Sequence, residues 1–297
     1  MKHFIRWVAV PVIAFALTAA LLCGAQAAEI PIPTGDDDTV DVLVIGNSFT
    51  TGWPDELCGM LEAAGFKANV YTASHGGTVL QQHWDWLQSD EAAYHLHCYG
   101  LSDKVADKRR VTLEECLAEK KWDVISIQEA FMAPAERGFR EAAYVKSTCA
   151  LAADMLAYLK TRCPQATLLW HQTWTPEVGY IRKTRAVRTK GAQKRVYRVI
   201  CKVGDRVVQE NDAYLIPTGT AFQLARASGS GDLTRDGLHD SAENGGQYLN
   251  ACVWFECLTG QSCVGNTWRP TGYTLTEERI ADLQNWAHKA VEKYAAR

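Results

Sequence analysis

The chain has 297 residues, 47% hydrophobic and 22% charged, with a formal charge of −3 from 31 Lys and Arg against 34 Asp and Glu. These proportions are ordinary for a globular protein and exclude pervasive disorder, collagen and a coiled-coil rod. The slight acid excess argues against nucleic acid as a partner, since a duplex-binding surface carries a basic surplus, and the length suits one large α/β domain as well as two small ones.

Lys2 and Arg6 precede an apolar run from Trp7 to Leu22, broken only by Thr18, and Ala25-Gln26-Ala27 follows. A charged start, an apolar core and a small-x-small site read as a secretory signal peptide over residues 1–27. The run is shorter than the roughly 20 residues that cross a bilayer. An uncleaved anchor and a lipidated Cys23 are the alternatives, and the bulky Leu22 disfavours the second. Cleavage after Ala27 removes two cations and no carboxylate, so the expected mature protein is exported (periplasmic or secreted), soluble, acidic and without a stable membrane anchor. Nine cysteines then remain: Cys58, Cys98, Cys116, Cys149, Cys163, Cys201, Cys252, Cys257 and Cys263. Export permits disulfides, and an odd count leaves a thiol over unless two chains cross-link.

After a Pro/Asp-rich lead, residues 28–39, one domain is expected over 40–297. Val40 to Gly46 is β-branched and nearly continuous, as in a strand covered on both faces. Lys67–Tyr71, Trp122–Ile127, Ala166–Trp170 and Ala213–Ile216 repeat that pattern more weakly. Between them, Val145, Cys149, Ala152, Leu156 and Leu159 form one helical stripe. Near the end, Thr274 and Glu277 make a capping box ahead of a stripe of Ile280, Leu283, Ala287 and Val291. Strands alternating with helices imply a three-layer α/β/α sandwich around a five-stranded parallel sheet. His95-Leu96-His97-Cys98 offers metal-ligand types but stands alone and reads as a loop, and the spacings contain no CxxC, so neither metal nor cofactor is expected. Seven cations without an acid between Arg182 and Arg195 read as a solvated loop and helix face, or as a contact to an anionic polymer or membrane surface.

In open parallel sheets, ligands bind beyond the carboxyl ends of the strands, so the residues there bear inspection. The first strand runs into Gly46-Asn47-Ser48-Phe49-Thr50, the second into Ser74-His75-Gly76-Gly77-Thr78, and the third ends in Ile127-Gln128-Glu129. Far downstream, Asp236-Gly237-Leu238-His239 precedes an expected helix near Ser241. A hydroxyl, bare backbone N–H groups, an amide, and a carboxylate three residues from an imidazole are the parts of nucleophilic acyl transfer. His75, His83 and His171 are alternative bases. Trp84, Trp86 and Trp174 are either packing residues or a stacking platform for a sugar ring.

In these blocks the sequence resembles the SGNH (GDSL-like) hydrolase superfamily, and within it the branch whose first block reads Gly-Asn-Ser-Phe (DUF4886-like). Gly46-Asn47-Ser48-Phe49, Gly76-Gly77-Thr78 and Asp236-Gly237-Leu238-His239-Asp240-Ser241 carry the likeness, with Trp122–Gln128, Leu168–Trp174 and Ile216–Phe222. It runs from about Val40 to Gly260 and implies a flavodoxin-like sandwich and a serine esterase needing no metal. The roles it implies are Ser48 as nucleophile, His239 as base and Asp236 as its orienter. Ser48, Gly77 and Gln128 would supply the oxyanion hole, and Gly76, His171, Trp174 and Trp84 would touch substrate. Two positions depart from the pattern: Asn47 stands where many relatives carry Asp, and Gln128 where the superfamily has an oxyanion Asn. The expected substrate is a small-molecule or glycan ester losing an acetyl or other short acyl group. A lipase or lysophospholipase, and a catalytically weak glycan-binding protein, are the competing readings.

Overall fold

The continuous apolar run at the first strand requires cover on both faces, and it receives it. The structure, a computed structural model, describes residues 39–100, 107–130, 139–182 and 185–295, so the expected signal peptide lies outside the described residues. In chain order the strands are β1 (Thr39–Gly46), β2 (Lys67–Ser74), β3 (Tyr94–Tyr99), β4 (Asp107–Val111), β5 (Val124–Gln128), β6 (Thr167–His171), β7 (Ile181–Arg182), β8 (Arg185–Ala186) and β9 (Tyr214–Ile216). Seven of them form the central sheet in the order β4-β3-β2-β1-β5-β6-β9, and β7 and β8 make a separate short hairpin. β2, β1, β5, β6 and β9 run parallel.

Side chains alternate across a strand. Val42 and Val44 of β1 therefore enter one core, with Val70 and Val124, while Leu43 and Ile45 enter the other, with Tyr71, Ile125 and Ile127. Helices α1 (Pro54–Ala63), α6 (Thr218–Ala227), α7 (Gly246–Thr259) and α8 (Glu277–Ala295) pack on the first face. On the second lie α2 (Leu80–Ser89), α3 (Leu113–Ala118), α4 (Glu141–Arg162) and α5 (Lys190–Glu210). This is the expected three-layer α/β/α sandwich. From β1 the chain crosses first to β2 on one side and later to β5 on the other, so the order reverses beside β1. Such a switch point opens a crevice at the carboxyl ends of the strands.

Among the described residues the structure corrects three expectations. The sheet has seven strands rather than five, because β3 and β4 add an antiparallel edge. The His95-Leu96-His97-Cys98 segment, read from sequence as a loop, lies in β3. In β4, Asp107-Lys108-Arg109-Arg110-Val111 is too charged to read as a strand, yet charge is what protects a sheet edge from pairing with another chain. The cap of α8 also lies two residues beyond the expected one: Thr276 Oγ1 accepts from Arg279 N at 3.1 Å, and Glu277 instead takes both arms of Arg269 at 2.9 and 2.6 Å. The stripe of Ile280, Leu283, Ala287 and Val291 is buried as expected. Among the described residues Cys58, Cys116, Cys149, Cys163, Cys201, Cys252, Cys257 and Cys263 are free thiols, and no helix is long and apolar enough to cross a membrane.

Candidate active site

The crevice at the end of β1 is built by a turn that needs a glycine, an amide and a serine in succession. A Cβ at Gly46 would stand 2.7 Å from Gln128 Nε2 and 2.6 Å from Thr50 Cγ2, so close approach of β5 excludes any side chain there. Asn47 then caps a single 3₁₀ turn, Ser48–Thr50. Its Oδ1 accepts from Phe49 N at 3.0 Å, and its carbonyl accepts from Thr50 N at 2.9 Å. The cap leaves Ser48 half-buried at the lip of the sheet, with its neighbours Asn47 and Phe49 buried.

Across the crevice, residues 232–241 form a tight loop. Arg235 N donates to His239 O at 2.9 Å and Ser241 N to Leu233 O at 3.0 Å, with a bridge between Thr234 and Asp240. Gly237, at φ +79°, makes the turn between the acid and the base. Two contacts fix this loop from outside: Trp174 Nε1 donates to Leu238 O at 2.7 Å, and Glu177 N to Gly237 O at 2.8 Å. Asp236 Oδ1 accepts from Leu238 N and His239 N at 3.0 and 2.7 Å, which frees Oδ2 to meet His239 Nδ1 at 2.6 Å. On the far side of the imidazole, Nε2 lies 3.0 Å from Ser48 Oγ. The structure thus brings Ser48, His239 and Asp236 into one hydrogen-bonded line, from segments 191 residues apart.

Partial burial raises the Asp236 pKa, but hydrogen bonds from the His239 backbone, the imidazole and the Leu238 backbone outweigh it and hold the carboxyl below its usual range. An ionised carboxylate on Nδ1 fixes that proton and leaves Nε2 free to accept. The arrangement can therefore draw a proton from the Ser48 hydroxyl.

Gln128 has another place than the oxyanion role expected of it. It is 2% exposed, its Nε2 donates to Asn47 Oδ1 at 3.0 Å, and its Oε1 lies 3.1 Å from His171 Nδ1. The extra methylene, relative to Asn, carries the amide under the nucleophile turn instead of up to its opening. His171, expected at substrate, is fully buried. It lies between Gln128 and Thr218 Oγ1, 3.1 Å from its Nε2, and burial pushes its pKa down to about 3. Trp174 is equally buried, stacked on Phe222 at 4.6 Å, and holds the 232–241 loop through Leu238 O. Trp84 is half-buried against the second core. Gly76 and Gly77 are exposed in the β2–α2 loop beside the crevice, Gly77 at φ +78°. Of the alternative bases, His83 is buried against Tyr94 OH at 2.8 Å with its pKa pushed down to about 3, and His75 lies on Ala93 O at 2.8 Å.

Asn47 is the residue the sequence reading undervalued. Its Nδ2 donates to Thr78 O at 2.7 Å while its Oδ1 takes Phe49 N and Gln128 Nε2, so one amide joins the β1 turn to the β2 loop and to β5. A carboxylate at this position could not donate to Thr78 O. Two side-chain amides at the ends of neighbouring strands, Asn47 and Gln128, were the available signal. Trp86 was also underweighted: its ring lies 4.9 Å from His75, which makes it the tryptophan beside the glycine loop.

The model of the family described as "Domain of unknown function (DUF4886)" matches residues 41–290. A DUF4886 family protein from Bacteroides uniformis is 28% identical, with a TM-score of 0.75 over 86% of this chain and 95% of that one. A putative GDSL-like lipase from Parabacteroides merdae (15% identity, TM-score 0.52, 77% and 98% covered) shares the fold. So does an acetyl xylan esterase from Geobacillus stearothermophilus (14% identity, TM-score 0.50, 74% and 94% covered). No curated protein matches the sequence.

Proposed function

The chain belongs to the DUF4886 family, and from that membership and the geometry of its crevice we propose that it is a serine ester hydrolase removing acetyl or other short acyl groups from carbohydrates. The observation that carries this reading is the continuous line Asp236 Oδ2–His239–Ser48 Oγ at 2.6 and 3.0 Å. In this reading His239 Nε2 takes the Ser48 proton as Oγ attacks the ester carbonyl, and Asp236 stabilises the imidazolium that forms. The backbone N–H groups of Ser48 and Gly77 face the oxyanion. His239 then returns the proton to the leaving alkoxide and activates water to hydrolyse the acyl-enzyme. His75 and Trp86, beside the glycine loop, offer the ring faces for a sugar. Residues 1–27 act as a signal peptide in this reading, so the enzyme works outside the cytoplasm on extracellular glycan esters. The acetyl xylan esterase sharing this fold supports a short acyl group.

The test is labelling by a fluorophosphonate with peptide mapping, expected at Ser48 and abolished in Ser48→Ala; absence of labelling at Ser48 sinks the hydrolase. One feature favours a second reading, a lipase. Val178 and Ile181 are 43% and 57% exposed near the β7–β8 hairpin, whose base is tied to the catalytic loop through Glu177 N and Gly237 O. A p-nitrophenyl ester series separates the two. Each CH₂ buried in a lipid groove adds roughly 0.8 kcal/mol, so rates climbing to decanoyl favour the lipase, and rates highest at acetyl favour the carbohydrate esterase.

A further inference from the structure

His95 and His97 alternate along β3 with the buried Tyr94, Leu96 and Cys98, so both imidazoles project from the same face of the sheet, the one opposite those three. Asp107, on the edge strand β4, pairs directly with His97 in register. Its Oδ1 meets both rings: His95 Nε2 bonds to it, and His97 Nδ1 lies 3.4 Å away. The three donor atoms lie within 4.8 Å of one another. We propose that His95, His97 and Asp107 form a binding site for a divalent transition cation of the zinc class, distinct from the Ser48 crevice.

Three observations support the assignment. Two imidazoles with one carboxylate is a nitrogen-rich set that suits zinc, cobalt or nickel and is ill-suited to magnesium or calcium, which prefer oxygen. Zinc bonds of about 2.0–2.2 Å to nitrogen and oxygen set tetrahedral ligand atoms about 3.3 Å apart; His97 and Asp107, at 3.4 Å, already stand at this spacing, and the His95 ring, now bonded to the same oxygen, has to swing outward to reach it. The surroundings also hold the ligands ready. The Tyr99 ring packs edge-on against His97 at 4.5 Å.

Three protein ligands leave a fourth position for water. The role that follows from position is structural. A cation here clips the charged edge strand β4 to β3. His95 pairs in register with Ser74, the last residue of β2 before the glycine loop, so the clip also braces the strand that feeds that loop.

The experiment uses the full chain after chelator treatment. Co²⁺ titration should give one equivalent of a ligand-field absorption band in the visible. Zn²⁺ at about a hundredfold above Kd should raise Tm by roughly 5–10 °C. Both signals should vanish in His95→Ala/His97→Ala and fall sharply in Asp107→Asn, while fluorophosphonate labelling of the metal-free variants stays at the wild-type level. On the unmutated protein, Zn²⁺ should protect His95 and His97 from diethyl pyrocarbonate, a measurement that stands even if a variant folds poorly. No Co²⁺ band, or a band that persists in the double variant because thiols or the His239–Asp236 pair hold the ion, overturns the site. Loss of protection at both histidines does the same.

Discussion

Ser48, His239 and Asp236 act as one unit in the proposed mechanism, so their loss should not be additive. Ser48→Ala and His239→Ala are each expected to lower kcat on an activated ester by about 10⁴-fold or more, and Asp236→Asn somewhat less. A Ser48→Ala enzyme with full turnover would remove the nucleophile assignment. Gln128 makes a subtler test, because its amide bonds to Asn47 and approaches His171. Truncation to Ala leaves buried polar partners unpaired, which costs about 1–3 kcal/mol, and it loosens the turn that presents Ser48. Gln128→Ala should therefore shift the urea midpoint downward as well as lower kcat. A fall in kcat with an unchanged midpoint would show instead that the amide donates to the oxyanion directly. Asn47→Asp should resemble Gln128→Ala in stability, since the new side chain cannot donate to Thr78 O.

At the scale of elements, the parallel core was legible because strands buried on both faces write their burial as continuous apolar runs. β1, β2, β5, β6 and β9 were all readable in this way. The antiparallel edge was not, because β3 spends alternate positions on histidine and β4 is nearly all charge. The Ser, Gly and Asp-x-x-His blocks were readable as chemistry, since each stands at a strand end or beside a helix start. The packing that positions them was hidden, because it depends on contacts such as Trp174 with Leu238, 64 residues apart. That contact is testable. Trp174→Phe keeps the stacking on Phe222 and removes one neutral hydrogen bond to the catalytic loop. It should cost about 0.5–1.5 kcal/mol of stability, with kcat reduced by a smaller factor than in any triad variant, because Leu238 adjoins His239. Unaltered kcat alongside reduced stability would mean that Glu177 and the Thr234–Asp240 bridge hold the loop unaided.

The whole molecule carries its buried charge in a pattern that fixes how stability depends on pH. Burial pushes Asp240 up to about 8, against a hydrogen bond from Asn250 and the charge of Arg235, and with Glu56 adding to the rise. Glu56 itself is pushed to about 7 by burial, offset in part by Tyr273 OH at 2.8 Å, and burial raises Glu177 to about 7 against Arg226. Unfolded carboxyls titrate near 4, so above that pH the folded state binds more protons than the unfolded one. Stability from these groups is full below about pH 4 and is lost as pH rises through 7 and 8. His83 and His171, both pushed down to about 3, work the other way: their contribution is full above about 6.5 and is lost on acidification towards 3. Between pH 6.5 and 8 the histidines are silent and the raised carboxyls set the slope; above about 8 the buried thiols, whose pKa burial also raises (Cys58 and Cys116 to about 12), add to it. Between 7 and 8 the group still taking up its proton is Asp240, whose segment bridges to Thr234 inside the catalytic loop. Urea unfolding at half-unit steps from pH 6 to 9 should show stability falling across this window. The Asp240 share of that slope is bounded by about 1.4 kcal/mol per pH unit, the value of one proton. Asp240→Asn keeps the shape without the titration, so its curve should be flatter than that of the unmutated protein from pH 6 to 8. If the two curves run parallel throughout that window, Asp240 is ionised in the folded protein and the alkaline loss arises elsewhere.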